Sequence, residues 1–294
     1  MSADLVAPAI LAVLSACAGG WLRRRVTPDF AVALLTAIAV VGAAAVLWAL
    51  ALIVIGGVIG VPGLVEQLAW CRRVLAASHE APLPVAAGAA AALLAGTVRA
   101  FRFDLHWRRT VRGYQGRGGL DVVDSPHLVA FAAPGRPGTV VISDGLLRLL
   151  DDDEQVAVIA HERTHLTRHH GRYLRLGGLA AAFVPLLAPL ARQLRFATER
   201  AADEGAAAAV GNRSTVARAI ARAALATSPS GVLAVGGDSV AARVAELIDP
   251  PRPQWLPVAA LLTAVVAASA TLLASTWQLH HLLSFAAHVC GLGY

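Results

Sequence analysis

Asp151-Asp152-Asp153-Glu154-Gln155-Val156-Ala157-Val158-Ile159-Ala160-His161-Glu162-Arg163-Thr164-His165 is the stretch on which the reading of this chain turns. Acidic residues at its start suit the positive end of a helix, and can cap the first turn. The apolar run Val156 to Ala160 carries that helix into a His-Glu-x-x-His pattern. On a helix the two histidines lie one turn apart on the same face. Both imidazoles can therefore reach one metal ion, with Glu162 beside it as a candidate general base. Arg168, His169 and His170 fill the expected last turn, and Gly171 is the expected stop.

Two histidines do not complete a zinc site. A catalytic zinc takes three protein ligands and keeps one position for water. The best third candidate is Glu199, in Glu199-Arg200-Ala201-Ala202-Asp203, which begins an Ala-rich helical stretch running to Val210. Residues four apart on a helix face the same way. Glu199 can then bind the metal while Asp203 accepts a hydrogen bond from a ligand histidine and fixes its tautomer. The other reading makes them a surface acidic pair balancing Arg195 and Arg200. In the first reading one zinc ion per chain polarises a carbonyl and acidifies water, and Glu162 moves the proton to the leaving group. His169 shares the ligand face and is a candidate to support a ligand from behind, but His169 and His170 are expected to be solvated rather than ligating, since a further ligand would close the open position.

Upstream, His127 to Ala132 and Gly138 to Ser143 read as strands around the turn Pro134-Gly135-Arg136-Pro137-Gly138. The expectation is a hairpin against the metal helix, either scaffold or an edge that pairs with an extended substrate. Asp144 to Leu150 suggests a short helix. No Gly-rich phosphate loop, nucleophilic Ser or Cys constellation or internal repeat is present. Cys17, Cys71 and Cys290 are isolated, without a disulfide framework.

Composition points to lipid as a solvent. The chain is 57% hydrophobic and only 15% charged, with a mean hydropathy of +0.62. All its basic residues are Arg. A span needs about 20 apolar residues, and candidates run from Leu5 to Leu22, Phe30 to Ile55, Leu83 to Ala100 and Leu256 to Trp277. Arginines follow the first and third of these and are missing after the fourth. The positive-inside rule then puts the N-terminus outside the cell membrane and the catalytic region in the cytoplasm. The +6 charge is explained by span-flanking arginines and needs no nucleic acid partner. The expected division is 1–100 as a three-helix transmembrane region, 101–255 as a cytoplasmic zinc peptidase domain, 256–277 as the last span and 278–294 as a short extracytoplasmic tail. Within the domain, 176–190 is apolar but short and holds Pro185 and Pro189. If it crossed the bilayer, Glu199 could not share a metal with His161. It is expected as an interfacial helix docked beside the site, or as a buried helix of the domain.

Ala130-Phe131-Ala132 with Pro134-Gly135, Val141 to Leu147, His161 to His165 and Glu199 to Asp203 together resemble the integral-membrane zinc metallopeptidases. One branch comprises the BlaR/MecR-type signal transducers, which cleave cytoplasmic regulators. Another is the HtpX and CAAX-protease branch of membrane quality control and prenyl-protein processing. Three expected spans before the domain, one after it, and the stretch Val240 to Pro251 look more similar to BlaR/MecR. That resemblance implies a bacterial multi-pass protein, mainly α, with an inserted zincin-like (gluzincin) α+β domain carrying a small sheet. It also implies a protein substrate such as a BlaI-like repressor. BlaR/MecR transducers carry a penicillin-binding sensor after the last span, whereas seventeen residues follow Trp277 here. A quality-control protease of HtpX type and a non-catalytic signal transducer are the alternatives.

Overall fold

The computed structural model describes residues 19–59, 82–112, 118–135, 137–227, 237–255 and 259. Among the described residues two long apolar helices come first, α1 at Pro28–Ile59 and α2 at Leu83–Arg112. Both are long and apolar enough to cross a membrane, and only 17% of each apolar window is buried. That exposure separates them from the core helices of a soluble domain. The span expected to end at Ala100 continues as helix to Arg112, so the arginine-rich stretch extends the same rod. Asp104 ties this extension to Arg175 at 2.8 Å. The expected first span is described only from residue 19, and 256–277 and 278–294 lie outside the described residues apart from Ala259.

Three strands follow: β1, Gly119–Val123; β2, Ala130–Ala133; and β3, Thr139–Ser143. Their order is β1-β3-β2. β2 and β3 form the expected hairpin, antiparallel with Phe131 opposite Val141. β1 was not foreseen, and it pairs parallel to β3 with Leu120 opposite Val140. Ser143 then caps α3, Asp144–Leu149, its hydroxyl accepting from the Leu146 amide.

The motif helix is α4, Asp152–Thr167. It starts where the acidic run predicts, because Asp151 and Glu154 form a reciprocal capping box. Glu154 is buried by this arrangement and also meets Arg222 at 2.7 Å. Its far end differs from expectation. Gly171 does not stop it; His169 makes the turn in the left-handed region at φ 53°, and Gly171 lies inside the next helix, α5, His170–Phe183.

A short 3-10 turn, Pro185–Leu187, leads into α6, Ala188–Val210, then α7, Arg213–Thr227, and α8, Gly237–Ile248. The stretch 176–190 is therefore not one helix. It breaks at Val184, where the chain is extended before Pro185, because the residue before a proline is disfavoured in helical geometry. Val184, Leu187 and Leu190 are buried in one core with Leu35 and Ile38 of α1. Each such side chain contributes about 1.5–3 kcal/mol by leaving water, so α5 and α6 are held against the long helix. A second core joins α4, α6, α7 and α8 through Ala157, Ala206, Val216 and Leu247. Small residues let α6 approach α4 closely. A Cβ added at Gly205 would stand 2.4 Å from Thr164 Oγ1 and 2.7 Å from its Cγ2.

Candidate metal centre

The α4–α6 contact brings together residues 34 or more positions apart in sequence. His161 and His165 point their Nε2 atoms at each other, 3.2 Å apart. Glu199 closes the triangle, with Oε2 3.6 Å from His161 Nε2 and Oε1 3.8 Å from His165 Nε2. One ligand atom from each lies within 4.8 Å of the others, a group that could hold a metal ion. Two nitrogens bound to one tetrahedral zinc at about 2.0–2.1 Å sit about 3.3 Å apart. The His161–His165 spacing fits that figure, and the carboxylate spacings are only slightly wider.

Each histidine has a different partner on its other nitrogen. His161 Nδ1 faces Asp203 Oδ1 at 3.1 Å, and Asp203 is fully buried. His165 Nδ1 faces His170 Nδ1 at 3.0 Å. This corrects the expectation that His169 and His170 are both solvated. His169 is exposed, but His170 is 2% exposed and turned inward. The left-handed turn at His169 redirects the chain so that the next side chain folds back on His165.

One further residue of the centre was not singled out in the sequence. Arg243 of α8 donates from Nε and Nη2 to both oxygens of Asp203, at 2.9 and 2.7 Å. Its Nη1 lies 3.0 Å from Glu199 Oε2. A lone cation in the apolar run Val240 to Leu247 was the available signal. The partner to which that cation belongs, however, lies forty residues upstream.

Charge in the centre is distributed unevenly. Burial disfavours a charged His161, but hydrogen bonds with Asp203 and Glu199 outweigh it and raise its pKa to about 9. Burial and the neighbouring His161 charge push His165 down to about 4. Burial likewise takes His170 to about 4. Burial opposes ionisation of Glu199 and Asp203, yet the His161 hydrogen bond and Arg243 bring both to about 2. Glu162 moves the other way, with burial raising its pKa above the usual carboxylate range while the Ala132 amide donates to it. Three carboxylates thus gather around one guanidinium and draw a proton onto His161.

Two cavities adjoin these groups. One, of about 310 Å³, is walled by apolar residues such as Leu128, Val158, Val216 and Ile220 and reaches His161, Glu162 and Glu199. The other, of about 320 Å³, runs between Trp107 and Val111 of α2, Phe131 of β2, Glu162 and His165. The extension of α2 is therefore a wall of the cleft. No curated protein and no solved structure matches the chain. Residues 112–256, which supply every member of this centre, match the family model described as Peptidase family M48, and the domain that builds the site is similar to the peptidases of that family.

Proposed function

We propose that this chain is a membrane-associated zinc endopeptidase. The observation that carries the reading is the convergence of His161, His165 and Glu199, with Glu162 beside them, in a domain similar to a peptidase family. His161, His165 and Glu199 are the ligands in this reading. Held by these three residues, a zinc ion would supply Lewis-acid polarisation of the scissile carbonyl and acidification of water. Glu162 accepts the proton of the attacking water and delivers it to the leaving amine. Its raised pKa, from burial, suits a group that must hold a proton between the two steps. Asp203 and His170 orient the two histidines, each fixing the tautomer whose Nε2 is free to ligate. Ala132, whose amide meets Glu162, brings the β2 strand alongside the cleft.

In the same proposal α1 and α2 are two of four spans, and 101–255 faces the cytoplasm. The distribution of arginines supports that orientation. α2 supports a membrane-proximal substrate. Trp107 is 24 residues after Leu83, or about 36 Å at 1.5 Å per residue, against a hydrocarbon core of about 30 Å. The cleft wall then emerges just above the bilayer. A cytoplasmic BlaI-like repressor is the substrate that the BlaR/MecR resemblance favours. A segment of a membrane protein, as for HtpX-type quality control, is the one that the α2 wall favours.

The test compares the purified parent with Glu162→Gln. Proteolysis should fall by about 10²–10⁴-fold or more, the scale of a lost general base, while zinc stays at one per chain. A Glu162→Gln protein that cleaves at the parent rate would overturn the reading. Comparative N-terminal profiling of cells carrying the two proteins identifies the substrate and separates the repressor from membrane-protein targets.

A further inference from the structure

A second charged cavity lies one residue out of step with the first. Arg200 and Glu204 follow Glu199 and Asp203 in α6, so they are turned by about 100° around the helix. Arg200 lines a cavity of about 460 Å³ together with Arg23, Arg213 and Arg252. The carboxylates of this cavity are already engaged. Glu246 takes Arg23 at 2.7 Å and Arg200 at 3.3 Å. Glu204 takes Arg213 at 2.6 Å and Arg200 at 3.1 Å. Asp29 is bound by Arg168, which stands outside the cavity.

Donors are left over. The Arg200 side chain is 4% exposed, and its buried Nη1 has no hydrogen-bond partner among the described residues. A buried, unsatisfied guanidinium N–H is rare, and in a native protein it calls for a partner. Arg252 is exposed and has no acidic partner among the described residues. Arg23 is fixed flat against Phe196, 3.9 Å from the ring centroid, so its guanidinium is held in place at the cavity wall. The surplus here is positive, and it is arranged on planar forks that match phosphate oxygens.

Location supplies the second argument. The cavity includes Thr27, Pro28 and Asp29 at the start of α1, a helix long and apolar enough to span a membrane. Trp21, Phe30 and Trp255 are exposed at this end, and the rings of Phe30 and Trp255 meet edge to face at 5.4 Å. Exposed aromatics at the end of a span mark headgroup depth. Gln254 donates its amide to the Arg25 carbonyl at 2.7 Å, which holds the Arg252 segment over the Arg23–Arg25 turn.

We infer that this cavity binds a phosphate-bearing anion at the membrane surface, the chemistry shared by an anionic phospholipid headgroup and free phosphate. Arg252 is the exposed donor to it, with Arg200 lending positive charge at the wall and Arg23 and Arg213 fixing the shape around it. The site is independent of the peptidase reading.

The test uses the full-length protein in detergent. Retention of phosphatidylglycerol against phosphatidylcholine is read by native mass spectrometry. Inorganic phosphate is titrated separately in a thermal melt against chloride at equal ionic strength. The parent should hold phosphatidylglycerol about tenfold tighter than phosphatidylcholine, and Arg252→Glu should lose that preference, since a charge-assisted fork is replaced by a like charge. Arg213→Gln is a second variant that leaves both carboxylates partnered and should weaken retention less. A cooperative melt without phosphate, unchanged in both variants, reports that they are folded. A melting shift with inorganic phosphate that Arg252→Glu abolishes identifies free phosphate as the source; lipid selectivity without that shift identifies the headgroup. Equal retention of both lipids together with no phosphate shift overturns the site, as does an Arg252→Glu protein that binds as the parent does.

Discussion

Two charge networks stand side by side where α6 meets α8, and their difference is one of sign. Glu199 and Asp203 take Arg243. One residue on, Arg200 and Glu204 face the other way, and Arg200 takes the side chain and carbonyl of Glu246, three residues after Arg243. The same pair of helices, in nearly the same register, thus builds an acidic face and a basic one. On the acidic face Glu199 and Asp203 are shared between the Arg243 guanidinium and His161, and the histidines of α4 converge on them. On the basic face the carboxylates are used up while an arginine N–H has no partner among the described residues. The difference suits the two readings proposed above, a cation on the first face and an anion on the second.

The largest expected effect separates the faces directly. Glu199→Ala removes a carboxylate that converges with His161 and His165, and should abolish both stoichiometric zinc and proteolysis. Glu204→Ala breaks links to Arg200 and Arg213 on the other face, and should leave zinc at one per chain. Metal analysis of the two purified variants decides it; equal zinc contents would erase the distinction.

What could be read from the sequence follows the range of each interaction. The α4 start was legible because Asp151 and Glu154 cap each other three residues apart. So was the hairpin, whose register is set by a local turn. The pairing of His161, His165, Glu199 and Asp203 was legible because each pair repeats at helical spacing and the chemistry demands a third ligand. β1 was missed because its parallel pairing with β3 spans an intervening strand. The end of α4 was missed because the left-handed turn falls on His169, whereas Gly171 is the residue type that usually adopts it. His170 was assigned to solvent for the same reason, since only that turn brings it back to His165. Arg243 carries no local mark of its partner, because its role depends on α8 returning to α6.

Arg243→Met should give the next largest effect. Both oxygens of the buried Asp203 accept from Arg243, and removing one partner of a buried pair costs about 3–5 kcal/mol. Thermal unfolding of the zinc-free variant should show that loss. Zinc should then recover more stability in the variant than in the parent, because a cation offsets the charge that Arg243 left behind and binding to the folded state stabilises it. Unfolding midpoints that match the parent with and without zinc would mean that Arg243 does not hold the acidic face together.

The outer partners of the two histidines come third. Asp203→Asn and His170→Leu should each weaken zinc by about 10- to 100-fold, the usual scale for groups that orient ligands. Asp203 should sit at the upper end, since it is charged and fully buried. His170→Asn keeps an acceptor and should recover part of the loss. Chelator competition measures all three. If His170→Leu binds zinc as tightly as the parent, His165 is oriented by something other than its 3.0 Å contact.

The smallest effect is expected at Gly205, where two opposing terms nearly cancel. In a helix interior Ala is favoured over Gly by about 1 kcal/mol. The added methyl of Gly205→Ala, however, would lie 2.7 Å from Thr164 Cγ2. Thr164 cannot swing away freely, because it is β-branched and its hydroxyl donates to the Ala160 carbonyl at 2.8 Å. Overpacking of this kind costs about 1–3 kcal/mol, so a net loss of about 1 kcal/mol is expected in urea denaturation. The wedge opens between α6 and α4, on the side where Glu199 and Asp203 meet the histidines. Zinc affinity should therefore fall several-fold while the basic face, which packs on α8, keeps its retention of anionic lipid. A variant more stable than the parent would show that Thr164 moves aside and that the close approach of the two helices does not set the metal geometry.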